Sequence, residues 1–407
     1  MSARCPAGAR LAGAAVTGGI REIAARAEAL EREGRNVIHL EIGRPDYDSP
    51  LCAKRAAARA LEEGRVHYTE NAGLPELRRA IAEDRSRRYG TDVDANAVVV
   101  TAGATEALAA VFLTLLSPGD EVIVPAPFYP AYALQIALAG GVVRELPCRF
   151  EDGFRIDPAA LEAAVTPRTK MLLLNSPNNP AGTVLGRAEL AAAAEVARRR
   201  DLWVLSDECY ERFLYEGKPL TVSALPDMAE RTIVVSAASK TFSMTGWRIG
   251  WLVLPPEVRP IVNRCHQHLT SCAVSFAQVG AAEALRSAEE DVRRMIEGYR
   301  ERRDVFVEEL RRVEGFELLV PQGAFYVFPS VGRLTEAWGM TAMELAAWFL
   351  EEAGVAVVAG DPFRVSGDFL RMAFCRPVDE LREAARRIER AVRDRWRIVP
   401  DRTGRKV

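Results

Sequence analysis

The sequence predicts an α/β fold in which a large domain, with a seven-stranded, mostly parallel sheet between helices, is joined to a smaller α+β domain. Seven short runs of largely β-branched residues, most of them bounded by Gly, Pro or Asp, are typical of strands buried on both faces. Alanine-rich amphipathic segments lie between these runs, and such alternation favours a parallel sheet covered on both sides. Near residue 290 the pattern changes to shorter apolar runs, which indicates the second domain.

The elements follow in a regular order. The predicted strands are 97–103, 120–127, 141–147, 169–177, 202–208, 232–239 and 248–255. Amphipathic helices are predicted between them, at 105–116 and 187–200 among others. A charged amphipathic helix over 291–313 leads into the second pattern. That pattern consists of apolar runs at 315–321, 323–329, 354–360 and 369–375 and of helices near 341–353 and 378–395.

Length and charge bound the domains and the partners. A chain of 407 residues exceeds one ordinary domain. We expect a large domain over 46–290 and a small domain over 291–407, with residues 1–45 forming an N-terminal arm and part of the small domain. The basic tail over 393–407 is expected to be a solvated end. The formal net charge of −2 gives no overall electrostatic reason to bind nucleic acid or an anionic membrane.

The cysteines and histidines predict neither a disulfide framework nor a metal site. The seven cysteines are odd in number, scattered and without a C-x-x-C pair, which favours a reducing, cytoplasmic setting. His266 and His268 form an H-x-H pair without a third ligand, so we expect them on the polar surface or lining a pocket. No run approaches the roughly 18 uninterrupted apolar residues of a membrane span.

Polar segments after the predicted strands are the candidates for a ligand site, because open parallel sheets bind ligands beyond the carboxyl ends of their strands. They are TAGATE (101–106), PAPFYPAY (125–132), NSPNNPAG (175–182), SDECY (206–210) and SAASK (236–240). TAGATE places small residues before a helix, whose free N–H groups favour an anion, with the Thr105 hydroxyl beside them. Arg248 can add a planar fork for a phosphate. Taken singly, helix capping and a surface ion pair explain these two features better.

Four more side chains belong to these segments. Asp207 ends a strongly apolar run, so its carboxylate is expected to be partly buried and to need a cation or hydrogen-bond donors. Asn179 offers an amide from a loop stiffened by prolines. Tyr210 lies three residues after Asp207, and Tyr129 offers an aromatic face between two prolines.

Lys240, in the segment SAASKTFSMTGWRIG, is one of only five lysines among the 54 lysine and arginine residues. A primary amine condenses with an aldehyde to form a Schiff base, which a guanidinium cannot do. Lys240 follows an apolar strand and stands between Ser239 and Thr241. These residues by themselves leave both interpretations open, a solvated lysine and a Schiff-base lysine.

Taken together, the motifs resemble the class I/II aminotransferases, pyridoxal-phosphate enzymes of the aspartate aminotransferase superfamily and of fold type I. The resemblance runs from about residue 16 to residue 395. It rests on SAASKTFSMTGWRIG and, in the family's order, on LEIGRPD, YTENAGLPELR, TAGATEAL, NSPNNPAGT, SDECY, PQGAFYVFP and FLRMAFC. It implies fold type I and a cytoplasmic enzyme of amino-acid metabolism.

The resemblance also implies roles for the residues around the cofactor ring. Lys240 would hold pyridoxal 5′-phosphate as a Schiff base and then shuttle the substrate proton in a ping-pong reaction. Asp207 would pair with the pyridinium nitrogen. Asn179 and Tyr210 match the residues that hydrogen-bond the phenolate oxygen, and Tyr129 takes the stacking position.

The remaining implied contacts concern the phosphate and the substrate. The residues that match the phosphate cradle are Gly103, Ala104, Thr105, Ser239 and Arg248. Tyr68 matches a tyrosine that reaches the phosphate of the neighbouring subunit, which implies a homodimer with shared sites. Arg371 matches the arginine that grips the substrate α-carboxylate, helped by Gly43 and Asn179, and the GAFY segment carries Phe325 toward the substrate.

The sequence departs from the family's pattern at several positions. Where many relatives have a phosphate-binding hydroxyl three positions before the lysine, this chain has Ala237, and Ser236 is one position too early on an alternating strand. Thr105 stands where some aspartate-preferring bacterial relatives have a lysine. In another subgroup a partner's arginine recognises the second carboxylate, and here Gln267 takes that place, with Arg264 nearby. A dicarboxylate substrate is therefore not supported by the sequence.

Two other functions were weighed against transamination. A lyase or synthase of the same fold, acting by β- or γ-elimination or replacement as in C–S lyases or aminocyclopropane carboxylate synthase, would keep the same cofactor residues. A transcription regulator built on this fold carries a DNA-binding module ahead of it. With about fifteen residues before the first motif, the sequence does not favour that alternative.

Overall fold

The computed structural model describes residues 20–398 of the chain. The part of the predicted arm before residue 20 and the end of the predicted basic tail, after residue 398, lie outside the described residues. Within the described range, no helix combines the length and the apolar character needed to cross a bilayer.

The helices and strands of this range alternate along the first two thirds of the chain. The helices are α1 (Ile20–Arg32), α2 (Leu51–Glu62), α3 (Pro75–Tyr89), α4 (Ala104–Leu115), α5 (Ala131–Leu138), α6 (Pro158–Ala164), α7 (Arg187–Arg199), α8 (Ala238–Thr241), α9 (Arg259–Thr270), α10 (Ser275–Ser287), α11 (Glu289–Leu310), α12 (Gly332–Trp338), α13 (Ala342–Trp348) and α14 (Val378–Ile398). The strands are β1 (Ile38–His39), β2 (Val98–Thr101), β3 (Glu121–Ala126), β4 (Val142–Pro147), β5 (Thr169–Asn175), β6 (Trp203–Asp207), β7 (Thr232–Ala237), β8 (Gly250–Val253), β9 (Tyr326–Val327), β10 (Val355–Ala356), β11 (Val358–Ala359) and β12 (Leu370–Ala373).

The central sheet has seven strands in the order β2-β8-β7-β6-β5-β3-β4. Only β8 runs antiparallel to its neighbours, β2 and β7, and the other pairs are parallel. Each strand falls within one of the seven predicted runs, so the predicted sheet is confirmed. The carboxyl ends of β2, β3, β5, β6 and β7 therefore lie along one edge.

Alternate residues of the strands pack on opposite faces, as the pleat of a β-strand requires. Leu173 of β5 packs in the core that includes α4 and α5, whereas Leu172 and Leu174 pack in the core that includes α6 and α7. A third cluster joins α2, α3 and α10 to β2 and β8. Helices thus cover both faces, which explains why the strand sequences are apolar throughout rather than alternating.

The C-terminal part contains a three-stranded antiparallel sheet in the order β11-β12-β9, packed with α11 to α14. The short strand β1 pairs in parallel with β10, so the segment before α2 joins this part of the molecule. The predicted run 315–321 does not form a strand and makes a single bridge, Glu317 to Ser330. Its last residue, Pro321, has no N–H to donate to a ladder.

Candidate active site

A cavity of about 240 Å³ lies at the carboxyl ends of the central strands, where the sequence predicts it. Most of the predicted site residues line it: Gly43, Ala104, Thr105, Tyr129, Asn179, Asp207, Tyr210, Ser239, Lys240, Arg248 and Arg371. Of the remaining predicted residues, Gly103 borders the cavity through its contact with Arg248, while Phe325 and Tyr68 lie elsewhere.

Lys240 enters the cavity from α8, the single helical turn that follows β7. Its Nζ donates a hydrogen bond to the carbonyl oxygen of Gly43 at 2.7 Å. Burial lowers the pKa of Lys240, and no carboxylate of the described residues forms an ion pair with it. An amine in such surroundings is available as a nucleophile and as a base closer to neutral pH than a solvated lysine.

Asp207 ends β6 and is buried. Its Oδ2 accepts a hydrogen bond from the Tyr132 hydroxyl at 2.6 Å, and its Oδ1 accepts one from the Cys209 N–H at 3.1 Å. Burial raises the pKa of Asp207, and these two donors oppose the shift. No lysine or arginine of the described range pairs with it, so the carboxylate is prepared for a cation that a ligand brings.

Tyr132 was not identified from the sequence, although a signal was present. It lies three residues after Tyr129 at the start of α5, and the two rings meet edge to face with centroids 5.5 Å apart. Tyr129 precedes the helix, and the Tyr132 N–H donates to the Tyr129 carbonyl oxygen at 3.1 Å, so a turn brings the two residues together. An aromatic residue three positions after a predicted stacking residue was therefore a candidate for the same cavity.

The two tyrosines Tyr210 and Tyr326 meet inside the cavity, with their hydroxyl oxygens 2.9 Å apart. Tyr326 was also missed by the sequence analysis, which singled out its neighbour Phe325. The Phe325 ring is fully buried beneath the site, with its centroid 5.7 Å from Lys240 Nζ. The two rings are neighbours, with centroids 4.9 Å apart, and Tyr326 is the one of the pair that lines the cavity.

Arg371, on β12, is almost completely buried at the cavity wall. Its Nη1 donates to Asn179 Oδ1 at 3.2 Å and its Nη2 donates to the carbonyl oxygen of Glu41. Its Nε has no hydrogen-bond partner in the described range. A buried guanidinium with spare donors and no carboxylate partner is suited to an anionic ligand.

Position 43, at this wall of the cavity, has room for a glycine and for no larger residue. A Cβ added there would overlap the hydroxyl of Tyr326. The guanidinium carbon of Arg371 lies 4.6 Å from the centroid of the same Tyr326 ring. Gly43 therefore lets the backbone approach close enough for its carbonyl oxygen to receive the Lys240 amine.

The opposite end of the cavity is formed by the start of α4 and by Arg248. Gly103 precedes α4 with φ +90°, and a Cβ there would overlap the Arg248 guanidinium. No side chain caps α4, and Ala104, Thr105 and Ser239 line the space in front of it. Arg248 is held in the left-handed region (φ +56°), and it donates to the carbonyl oxygens of Thr245 at 3.0 Å and of Ala102 at 3.4 Å. This end is suited to a phosphate.

The structure separates Ser236 from Ala237. Ala237 lines the cavity, whereas the Ser236 hydroxyl points to the other face of β7 and donates to Glu211 Oε1 at 2.9 Å. The hydroxyl of Ser236 thus has its partner behind the sheet and makes no contact with the cavity.

The structure also shows where Tyr68, Gln267 and the two histidines of the H-x-H pair lie. The side chain of Tyr68 is 88% exposed and does not line the cavity of its own chain. Gln267 and His268 are exposed on α9. We expected His266 on the polar surface or lining a pocket, and this expectation is wrong. His266 is fully buried beside Glu106, because its position on α9 faces α4. Within residues 20–398 no group of three or more His, Cys, Asp and Glu side chains is placed to hold a metal ion.

The cavity therefore brings together a primary amine with a lowered pKa, a buried carboxylate without a cation, a pair of tyrosine hydroxyls and two arginines with different partners. Such a set can bind a ligand that carries two anionic groups and a basic nitrogen, and it can move a proton at an atom next to the amine.

Comparison with known proteins agrees with this chemistry. The sequence model of the family described as aminotransferase class I and II matches residues 35–388. A probable aspartate/prephenate aminotransferase of Aquifex aeolicus is 39% identical over 376 residues, which cover 91% of this chain and 95% of the relative. An aspartate aminotransferase of Pyrococcus horikoshii is 39% identical over 379 residues, 92% of this chain and 94% of the relative.

Among solved structures, the aspartate aminotransferase from Rhizobium meliloti superposes with a TM-score of 0.90 at 35% identity, covering 96% of this chain and 99% of that one. The predicted fold type I architecture is thereby confirmed. With the family match spanning most of its length, the chain belongs to the class I and II aminotransferases.

Proposed function

We propose that this aminotransferase moves an amino group between an amino acid and a 2-oxo acid in a ping-pong reaction, with pyridoxal 5′-phosphate bound in the cavity. The observation that carries the proposal is the meeting of the Lys240 amine, the Asp207 carboxylate and two arginines in one cavity. The arginines suit a phosphate and an α-carboxylate, and the carboxylate suits a protonated ring nitrogen.

The residues of the cavity fit this cofactor. At the phosphate end, the uncapped start of α4 and the close approach that Gly103 permits leave backbone N–H groups for an anion. Ala104, Thr105, Ser239 and Arg248 would complete the cradle. At the ring, Tyr129 would stack, and Asn179 and Tyr210 would donate to the phenolate oxygen.

Asp207 would hold the proton on the ring nitrogen. Its burial, and the lack of a cationic partner among residues 20–398, make a protonated nitrogen the favourable neighbour, since a buried carboxylate is stabilised by a nearby cation. Tyr132 fixes the carboxylate by donating to Oδ2. When bound, the cofactor supplies an aldehyde for amine condensation and a ring that accepts the electron pair released at the substrate Cα.

Lys240 would bind the aldehyde and then act as the base that takes the proton from the substrate Cα. Burial lowers the pKa of its ammonium form, so a larger fraction is the free amine near neutral pH. The Gly43 carbonyl oxygen orients Nζ. Arg371 would bind the α-carboxylate, held in place by its hydrogen bonds to Asn179 and to the carbonyl oxygen of Glu41 and by the rings of Tyr326 and Phe363 beside its guanidinium.

The first candidate for the substrate is an amino acid with an uncharged side chain. Besides Lys240, Arg248 and Arg371, no lysine or arginine is found among the described residues that line the cavity. Thr105 offers a hydroxyl and no charge to a second carboxylate. The aromatic rings of Tyr129, Tyr132 and Tyr326 give the cavity apolar walls.

A dicarboxylate is the second candidate, because one cation lies near the mouth of the cavity. Ile20, at the start of α1, lines the cavity, and Arg21 follows it. Burial raises the pKa of Tyr129, and the positive charges of Arg371 and Arg21 oppose that shift. The two relatives and the solved structure described above are all named for aspartate.

A single-turnover screen tests the function and the two substrates. The purified holoprotein, without a second substrate, is incubated with phenylalanine, methionine, aspartate or glutamate, and the 2-oxo acid is quantified. Transamination predicts close to one equivalent of oxo acid per site. Continued release of ammonia or thiol would instead support the eliminating alternative. Arg21→Gln should not change the amount of oxo acid formed from phenylalanine or methionine. It should lower the amount formed from aspartate only if the enzyme uses a dicarboxylate substrate.

We also propose a homodimer in which each subunit contributes Tyr68 to the partner's site. Tyr68 is exposed, and so are the apolar side chains of Leu61, Val66, Leu269 and Val274, which we group with it as the Tyr68 patch. Hydrogen bonds from Ser275 Oγ to the Arg65 carbonyl and from Asn71 Nδ2 to the Ser271 carbonyl bring these segments together, each at 2.7 Å. Exposed apolar patches of this kind mark interfaces.

The division into a large domain over 46–290 and a small domain over 291–407, completed by residues before 46, is part of the proposal. The pairing of β1 with β10 supports it. A cytoplasmic location is proposed on the basis of the scattered cysteines, of which the six within residues 20–398 are unpaired.

A further inference from the structure

His266 on α9 is fully buried, and an acceptor faces each of its ring nitrogens. Nδ1 lies 3.0 and 3.1 Å from the two carboxylate oxygens of Glu106, and Nε2 lies 2.9 Å from the backbone carbonyl oxygen of Asn71. A backbone carbonyl and a carboxylate only accept hydrogen bonds. The imidazole satisfies both when each nitrogen carries a hydrogen, which makes it a cation.

The Thr270 hydroxyl does not remove this requirement. The Thr270 oxygen lies 3.2 Å from His266 Nδ1. The same hydroxyl can donate its hydrogen to the His266 carbonyl oxygen, at 3.4 Å. The two Glu106 oxygens lie closer to Nδ1, at 3.0 and 3.1 Å, and a carboxylate only accepts, so the contact with Glu106 calls for a hydrogen on Nδ1.

Glu106 lies in the first turn of α4, directly after the residues proposed to hold the phosphate. Its Oε2 accepts a hydrogen bond from the Ala102 N–H at 3.1 Å, and the carbonyl of the same Ala102 receives Arg248. The carboxylate and a phosphate dianion would thus compete for the same positive helix end. Left unpaired, a carboxylate in this position opposes phosphate binding.

We propose that His266 is the counter-ion that neutralises Glu106, and that it thereby acts as a positioning residue of the phosphate site. The inference rests on the proposed binding of pyridoxal 5′-phosphate at the start of α4. The pair lets Glu106 fasten the Ala102 peptide without placing a net negative charge beside the phosphate. Through Asn71, His266 also ties this loop to the segment that carries Tyr68.

The test is a cycle of variants in which binding of pyridoxal 5′-phosphate to the apoprotein is measured by titration and by the rate of cofactor loss. His266→Gln, which leaves the carboxylate without a cation, should weaken binding about tenfold or more. Adding Glu106→Gln to His266→Gln should recover most of that loss, because no unpaired charge remains. The phosphorus NMR shift of the bound cofactor should move in the single variant and return in the double variant.

His268→Gln is the matched control, since His268 is exposed on the same helix, and it should bind the cofactor as the wild type does. If the single variant does not fold, Glu106→Gln alone decides: it should bind the cofactor at least as tightly as the wild type. Weaker binding by Glu106→Gln, or an equal defect in the single and double His266 variants, would show a merely structural role and overturn the proposal. A wild type that fails to bind the cofactor at all would instead overturn the proposed function.

Discussion

The Asp207 carboxylate is held by two donors without charge, the Tyr132 hydroxyl and the Cys209 N–H. This arrangement fixes the orientation of the carboxylate and leaves its charge uncompensated, so the charge is available to a ligand. The hydroxyl of Tyr132 is the part of this arrangement that a single substitution can remove.

Tyr132→Phe should lower kcat by roughly ten- to a hundredfold, because the carboxylate loses its shortest hydrogen bond and its pKa rises further. The loss of one hydrogen bond to a charged group corresponds to roughly 1.5–3 kcal/mol. Steady-state kinetics at saturating cofactor measure it. Tyr215→Phe is the control, since Tyr215 is another buried tyrosine whose hydroxyl donates to a backbone carbonyl outside the cavity. Equal effects of the two variants would argue against a specific role for Tyr132.

Lys240→Ala should abolish covalent attachment of the cofactor. Borohydride reduction of the wild-type holoprotein should fix one pyridoxyl group per chain, which mass spectrometry of the peptide around residue 240 detects. Lys170→Ala, at an exposed lysine of β5, should be labelled as the wild type is. Undiminished labelling of the Lys240 variant would refute the assignment of the Schiff-base residue.

At the scale of the element, the turn after β6 serves two faces of the sheet. Asp207 and Tyr210 face the cavity, while Glu208 and Glu211 face a buried cluster behind the sheet. In that cluster Arg85 pairs with Glu208 at 2.9 Å and with Glu211 at 3.2 Å. Glu211 also accepts hydrogen bonds from Tyr89 and Ser236. The cluster therefore ties the turn to α3 and to β7, the strand that leads to Lys240.

The cluster should make the fold sensitive to acid. Burial favours the neutral form of Glu211, but Arg88 and Arg85 outweigh it and lower the pKa to about 2 from the ordinary 4.5. A carboxylate with a depressed folded-state pKa stabilises the fold above its unfolded pKa, and this contribution is lost as the pH falls from about 4.5 to about 2. Burial raises the pKa of the neighbouring Glu208, which offsets part of this loss.

Urea unfolding at several pH values between 5 and 3 measures this contribution. Glu211→Gln should be less stable than the wild type at pH 5, and its stability should depend less steeply on pH. Glu195→Gln, in an exposed pair with Arg198, should keep the wild-type slope. Identical slopes for wild type and the Glu211 variant would contradict the prediction.

The sequence predicts which segments reach the site, but not which of their side chains face the cavity and which face the cluster behind the sheet. The strands and the polar segments after them could be read from apolar runs, since a buried strand ends where polar residues begin. The face that each side chain of a turn occupies could not, because it depends on neighbours distant in sequence. The Ser236 hydroxyl donates a hydrogen bond to Glu211, and the His266 ring contacts Glu106, which lies 160 positions earlier in the sequence. Tyr326 was missed for a similar reason, since either residue of the pair with Phe325 fits the pattern.

At the scale of the whole molecule, the proposed dimer makes each site depend on two chains. Tyr68 does not line the cavity of its own chain, and the exposed patch around it is suited to cover by a second copy. The question of which chain's site Tyr68 serves can be separated from whether a dimer forms.

Hybrid dimers answer that question. Subunits with Tyr68→Ala are mixed with subunits with Lys240→Ala, and differently tagged hybrids are isolated. If Tyr68 acts across the interface, each hybrid has one intact site, and that site should bind the cofactor with wild-type affinity and keep about half the activity of the wild type. If Tyr68 acts within its own chain, no site is intact: the one site that keeps Lys240 should bind the cofactor as weakly as a site of the Tyr68→Ala homodimer, and the hybrid should have about half the activity of that homodimer. Sedimentation of the wild type provides the independent check of the dimer.

The segment over 38–43 touches both parts of the chain. Its strand β1 pairs with β10, the carbonyl of Glu41 receives Arg371, and the carbonyl of Gly43 receives Lys240. Anyone who builds a chimera by exchanging the C-terminal portion for that of a relative would need to transplant these six residues with it. If these residues are not exchanged, the arginine at position 371 would come from the relative while the Glu41 carbonyl that holds it would come from this chain. We expect the chimera to lose activity through this mismatch, although the two residues are 330 positions apart in sequence.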